Sequence, residues 1–177
     1  YLYFMSERNF NPILSAYEFS FANTAIEDIY VVVLNKDEKS PFQPGSDEAV
    51  DSTAKDTTPD DKKNKDAGKK DSDNKPVVEV KIDFDGIYDR QVALDIPAGN
   101  YGNLSVTEDA VFYVSYPIRG LRGRMAGFSS GLHKYDLTKR EDSEFLPGIN
   151  GYAITPDGKK LLTNKGKSYY IIDTGGK

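Results

Sequence analysis

The chain has 177 residues, a formal charge of −5 and a pI near 5.0. That is the size of one ordinary domain, with an acidic balance that disfavours nucleic acid and anionic membrane as partners. Zero cysteines exclude disulfides and thiolate metal sites, and a single histidine leaves little for a His-based metal site or a Ser-His relay, so neither cofactor nor metal is expected. No apolar run is long enough to span a bilayer and no secretory signal opens the sequence; beginning at Tyr1, it reads as part of a longer or trimmed protein.

From the amino terminus, strands are predicted over residues 2–6 and 29–34. Between them lie aromatics at Phe10, Tyr17, Phe19 and Phe21, the last three alternating as in a half-buried strand. A hairpin packed on the sheet is preferred there to a platform for stacking a ligand. Residues 13–25 alone leave a helix open; elsewhere apolar spacing of three and four is missing.

Residues 44–76, "PGSDEAVDSTAKDTTPDDKKNKDAGKKDSDNKP", carry no aromatic and no larger apolar residue than Val50. Such a composition buries too little surface to offset chain ordering, so a solvated, disordered loop is expected. Strand-like sequence on both sides makes it an insertion within one sheet rather than a domain boundary.

Further strands are predicted over 77–82, 90–96, 104–107 and 111–116. The carboxylates Asp83, Asp85 and Asp89 lack the glycine position and closing glutamate of a calcium-binding loop, and they read as structural, with Arg90 a partner for one aspartate. In the loop "YPIRGLRGRMAGFSSG" (116–131), Arg119, Arg122 and Arg124 are interleaved with glycines. Arginine holds carboxylates in a bidentate fork, so these three are candidate peptide-binding residues; the plainer reading is a solvated loop. The remaining strands are predicted over 132–137, 144–146, 152–155, 160–163 and 169–173. His133 sits on the first of these beside Tyr135 and Leu137, where packing is expected rather than chemistry. No catalytic residue is assigned.

A repeat organises these strands. "NYGNLSVTEDAVFYVS" (100–115) resembles "NGYAITPDGKKLLTNKG" (150–166), with Val106-Thr107 matching Ile154-Thr155 at a spacing of 48 residues. Asp157-Gly158 between apolar runs marks a hairpin, and Glu108-Asp109 fills the same turn in the other copy. "LHKYDL" and "YYIIDT" follow as third strands; "VALDIPAGN" and "EFLPGIN" precede as fourth strands of earlier units. Near the start, "LYFMSE" echoes a second strand and "IYVVVLNKD" a third. A four-stranded unit repeating at about 40 to 50 residues is the mark of propeller blades. The expected fold is all-β: a β-propeller fragment of about two to three antiparallel blades with an insertion. Residues 1–43 form the end of one blade with an aromatic hairpin, 44–76 the insertion, 77–103 the outer strands of the same blade, 104–150 a complete blade and 151–177 a partial one. Such a fragment exposes blade faces and edges, which invites homo-oligomers.

The stretches "YLYFMSERNFNP", "YVVVLNKDEKSPFQPGSDE", "VEVKIDFDGIYDRQVALDIPAGNYGNL" and "LHKYDLTKREDSEFLPGINGYAITPDGKKLL" resemble, in order and spacing, the carboxy-terminal part of the propeller region in tricorn-type proteases, serine peptidases of the S41 clan. The more specific part is Asp85, Gly86, Ile87 and Arg90 leading into Pro97, Gly99, Asn100 and Tyr101. The resemblance implies a peptidase whose catalytic serine and histidine lie in a separate core beyond a PDZ-like domain. This segment would then be catalytically silent and would guide or gate peptides, or scaffold the enzyme. Implied partners are peptide substrates and the other blades, PDZ-like and catalytic domains. Alternatives are a TolB-like protein-binding propeller and the propeller cap of a prolyl-oligopeptidase-type enzyme. Periplasm and cytoplasm both stay open, with an inclination to the periplasm.

Overall fold

The structure, a computed structural model, describes residues 1–14, 21–42, 80–117, 119–120, 123–124 and 130–175. Its first sheet is built from β1 (Leu2–Glu7), with the small hairpin β2 (Pro12–Leu14) and β3 (Phe21–Asn23) inserted before β4 (Glu27–Val32). A 3-10 turn, Ile87–Arg90, then leads into β5 (Gln91–Ala93), and the sheet order is β1-β4-β5. The second sheet contains β6 (Tyr101–Val106) and β7 (Ala110–Ser115), then a second small hairpin, β8 (Arg119–Gly120) and β9 (Gly123–Arg124). It is completed by β10 (Gly131–Asp136) and β11 (Glu141–Pro147), in the order β11-β10-β7-β6. The third sheet is β12 (Gly151–Ile154), β13 (Lys160–Lys165) and β14 (Ser168–Asp173), in that order. Every pairing is antiparallel, and no α-helix occurs among the described residues.

The sheets stack through two seams, and β7 serves both. Strand side chains alternate between faces, so Val111 and Tyr113 join Ile29, Val31 and Tyr135 in the seam with the first sheet. Ala110, Phe112 and Val114 join Leu132, Ile149 and Leu161 in the seam with the third. Burial on both faces explains why "AVFYV" is a continuous apolar run rather than an alternating one. Tyr152 crosses the second seam, its hydroxyl facing the carbonyls of Phe112, at 2.9 Å, and of Asn103.

The repeat seen in the sequence has a physical basis at its turns. Thr107 Oγ1 accepts from the Ala110 amide at 3.2 Å, and Thr155 Oγ1 accepts from the Lys160 amide at 3.0 Å, so equivalent threonines close equivalent turns. Asp157 Oδ1 accepts from the Lys159 amide at 3.1 Å, and Gly158 takes φ 71°, the left-handed conformation that favours glycine. The two turns abut: a Cβ on Gly158 would lie 3.4 Å from the Thr107 methyl.

Two expectations need correction. Residues 80–82, part of the predicted strand 77–82, belong to no sheet, while 77–79 lie outside the described residues. Arg90 pairs with backbone rather than with an aspartate. Its guanidinium donates to the carbonyls of Val33 at 3.0 Å, Asp85 at 2.7 Å, Leu34 at 3.5 Å, and Asp83. Five donors in a planar fork suit a turn whose carbonyls converge. The Asp83 carboxylate is already occupied by the Lys36 amide at 3.1 Å and Lys81 at 3.5 Å. The low-complexity segment 44–76 lies outside the described residues.

Candidate functional site

Antiparallel connectivity gives the sheets two ends. At one end lie the turn 107–109, the β10–β11 turn, the β12–β13 turn and the long connection from β4 to β5. At the other end both sheets carry a small hairpin between their second and third strands of the repeat: β2–β3 in the first sheet, β8–β9 in the second. The β2–β3 pair is the hairpin expected around the aromatic cluster. Phe10 precedes it and is 82% exposed, while Tyr17 and Phe19 lie outside the described residues.

The β8–β9 hairpin carries the arginine loop. Its register pairs Arg119 with Arg124 and Gly120 with Gly123, so two of the three candidate residues stand at opposed positions of one ladder. Arg122 lies outside the described residues. The hairpin itself was not read from the sequence because its loop, Leu121-Arg122, lacks the Asn-Gly or Asp-Gly pair that signals a tight turn.

A partly buried polar cluster lies on the second sheet's face toward the first. His133 Nδ1 donates to Asp142 Oδ2 at 2.9 Å, and the Tyr113 hydroxyl donates to Asp142 Oδ1 at 2.8 Å. The imidazole stacks on Tyr113 at 5.2 Å, and Tyr101 meets Tyr113 edge-on at 4.9 Å. Burial, and then the bond to Asp142, push the Tyr113 hydroxyl far above the ordinary tyrosine range, while burial pushes Tyr101 up to about 12. The hydrogen bond to Asp142 raises the His133 pKa, partly opposed by burial, with Glu144 adding to the rise. This carboxylate was missed in the sequence because it lies nine residues on, across the β10–β11 hairpin, where a register shift between Leu132 and His133 sets the alignment. The arrangement resembles half of a relay. However, the nearby serine hydroxyls are directed elsewhere, Ser143 to the Lys134 carbonyl at 3.3 Å and Ser130 to the Ile149 carbonyl at 2.6 Å. Its role is to pin β7, β10 and β11 together.

That role has a pH signature. A histidine whose folded pKa is raised adds stability that is fully present below its unfolded value, near 6.5, and is lost as pH rises through the folded value. The urea midpoint of the wild type should therefore fall between pH 6 and pH 8 relative to that of His133→Asn. A parallel pH dependence in the two proteins would remove His133 from the account.

Among the described residues, no group of three His, Asp or Glu is placed to hold a metal ion. Asp83, Asp85 and Asp89 sit around the turn that Arg90 ties down, with Gly86 at φ 64° supplying the left-handed corner. Tyr101 completes the following motif. Its hydroxyl donates to the Pro97 carbonyl, and a Cβ on Gly99 would lie 2.5 Å from its ring. Asn100 Oδ1 accepts from the Ala25 amide at 3.1 Å. The stretch Asp85–Tyr101 thus joins the first two sheets.

Comparison with known proteins agrees with this architecture. The family model described as the tricorn protease second beta propeller domain matches residues 1–175. A tricorn protease homolog of Saccharolobus solfataricus is 26% identical over 178 residues, covering 100% of this chain and 14% of the relative. Tricorn protease homolog 1 of Streptomyces coelicolor is 24% identical over 168 residues, covering 92% of this chain and 15% of the relative. The crystal structure of the tricorn protease superimposes with a TM-score of 0.62 at 18% identity, over 98% of this chain and 15% of that one. The chain therefore spans about a seventh of the length of the proteins it matches.

Proposed function

The chain belongs to the tricorn protease second β-propeller family, and from that premise we propose that it is the non-catalytic propeller portion of a tricorn-like S41 serine peptidase, guiding peptide substrates toward a catalytic core carried elsewhere. In this reading residues 1–43 and 77–103 are one blade interrupted by 44–76, residues 104–150 are a second, and 151–177 open a third. The partners are the remaining blades, PDZ-like and catalytic domains of a longer chain, together with the peptides it cleaves.

The observation that carries the guiding role is the opposed pair Arg119 and Arg124 on the β8–β9 hairpin. A carboxylate between two such positions gains charge-assisted hydrogen bonds, so a peptide's free carboxy terminus or acidic side chain suits it. Arg122 adds a third positive charge to the same loop. The test compares the full-length peptidase with the 177-residue chain on fluorogenic peptides. Cleavage by the first and none by the second is expected; cleavage by the isolated chain, or a full-length protein inert toward every peptide tried, contradicts the reading.

A further inference from the structure

We propose that residues 80–84, with Tyr88 on the turn that follows, form a docking surface for an extended peptide that alternates apolar residues with lysine or arginine. The site goes beyond the arginine hairpin and lies at the opposite end of the sheets, in the connection from β4 to β5. Residues 80–84 run beside 34–37 yet are joined to them by one backbone bond, from the Asp83 amide to the Leu34 carbonyl at 3.0 Å. Among the described residues, Val80, Lys81 and Ile82 make no backbone hydrogen bond. Backbone outside any sheet, which no described residue pairs, is a template for an added strand.

The polar side chains of the segment are already engaged: Lys81 Nζ, itself exposed, lies 3.3 Å from Asp37 and 3.5 Å from Asp83, and the partly covered Asp83 accepts the Lys36 amide. The apolar residues turn to solvent, with Val80 62%, Ile82 44% and Phe84 77% exposed, followed by Tyr88 at 83%. A run of large apolar side chains facing water on a segment whose polar ones are paired with one another marks an interaction surface.

Charge selects the occupant. Asp85 and Asp89 are exposed beside Phe84 and Tyr88. The cations near them are engaged, Lys81 by two carboxylates and Arg90 by four carbonyls. The stripe is therefore apolar with an acidic margin, and a peptide cation meets both a carboxylate and an aromatic face there.

Fluorescence anisotropy of the 177-residue chain with a fluorescein-labelled decapeptide of alternating valine and lysine tests this, against the same peptide with glutamate for lysine. Saturable binding of the lysine peptide, about tenfold or more tighter than the glutamate peptide, is expected. Phe84→Ala and Tyr88→Ala leave the charge unchanged and should each weaken it several-fold, with the melting temperature unmoved. Asp85→Lys with Asp89→Lys should reverse the peptide preference, and replacing Arg119, Arg122 and Arg124 should not alter it. Equal affinity for the two peptides would overturn the proposal. So would binding that survives both aromatic changes, or a dimer in sedimentation that Phe84→Ala dissolves, since the stripe would then serve a second copy.

Discussion

Phe112→Ala is expected to lower the unfolding free energy by about 3 to 5 kcal/mol, the largest effect of any substitution considered, read as a fall in the urea midpoint. Phe112 is fully buried, at 0% exposure, in the middle of β7. It meets Phe145 edge-on at 5.7 Å, and Lys134 Nζ lies 5.9 Å from its ring centre while donating to the carbonyl of Thr174, just past β14. Truncation therefore opens a cavity in a seam between two sheets, and neither sheet can collapse into it without sliding on the other. Phe112→Leu, which keeps most of the volume, should recover more than half of the loss. Equal effects of the two changes would mean that the seam is loosely packed.

Arg90→Ala is expected to cost about 3 kcal/mol, the scale for losing hydrogen bonds to a charged donor while leaving carbonyls unpaired. Its fork gathers carbonyls from the end of β4 and from the turn before β5, so its removal frees the whole connection. In a chain of this size that corresponds to a drop of roughly 6 to 12 °C in melting temperature. Arg90→Lys should restore less than half, because a single ammonium cannot reach carbonyls on both sides. If Asp85→Asn or Asp89→Asn destabilised as strongly as Arg90→Ala, the arginine would be acting through a carboxylate after all.

The strands that were legible in the sequence are those whose patterning is local. The runs "LYFMSE", "AVFYVS" and "GLHKYD" are bounded by turn residues, and the threonine-anchored turns recur at a fixed interval, so both the elements and their repetition follow from sequence. Burial on both faces of β7 agrees with its unbroken apolar run. What was not legible depends on register and on distant backbone. Arg90 carried an evident charge, but its partners are carbonyls of Val33 and Leu34, more than fifty residues away, which no pattern announces. The Asp142 partner of His133 follows from a one-residue irregularity in the β10–β11 pairing. The β8–β9 hairpin has a loop without turn chemistry, and residues 80–82 look like a strand because their alternation is real, although its apolar side faces solvent. In the candidate site, the sequence supplied the arginines, and the structure supplied the ladder that sets Arg119 opposite Arg124.

The most direct measurement of the guiding role is steady-state cleavage by the full-length peptidase of one peptide with a free carboxy terminus and of its amide, with Arg119, Arg122 and Arg124 intact or all replaced by alanine. Loss of charge-assisted bonds to a carboxylate predicts a KM about tenfold or more higher for the free acid, an unchanged KM for the amide and an unchanged kcat for both. Equal KM values for acid and amide, before and after the replacement, would contradict the account and leave the propeller as scaffold.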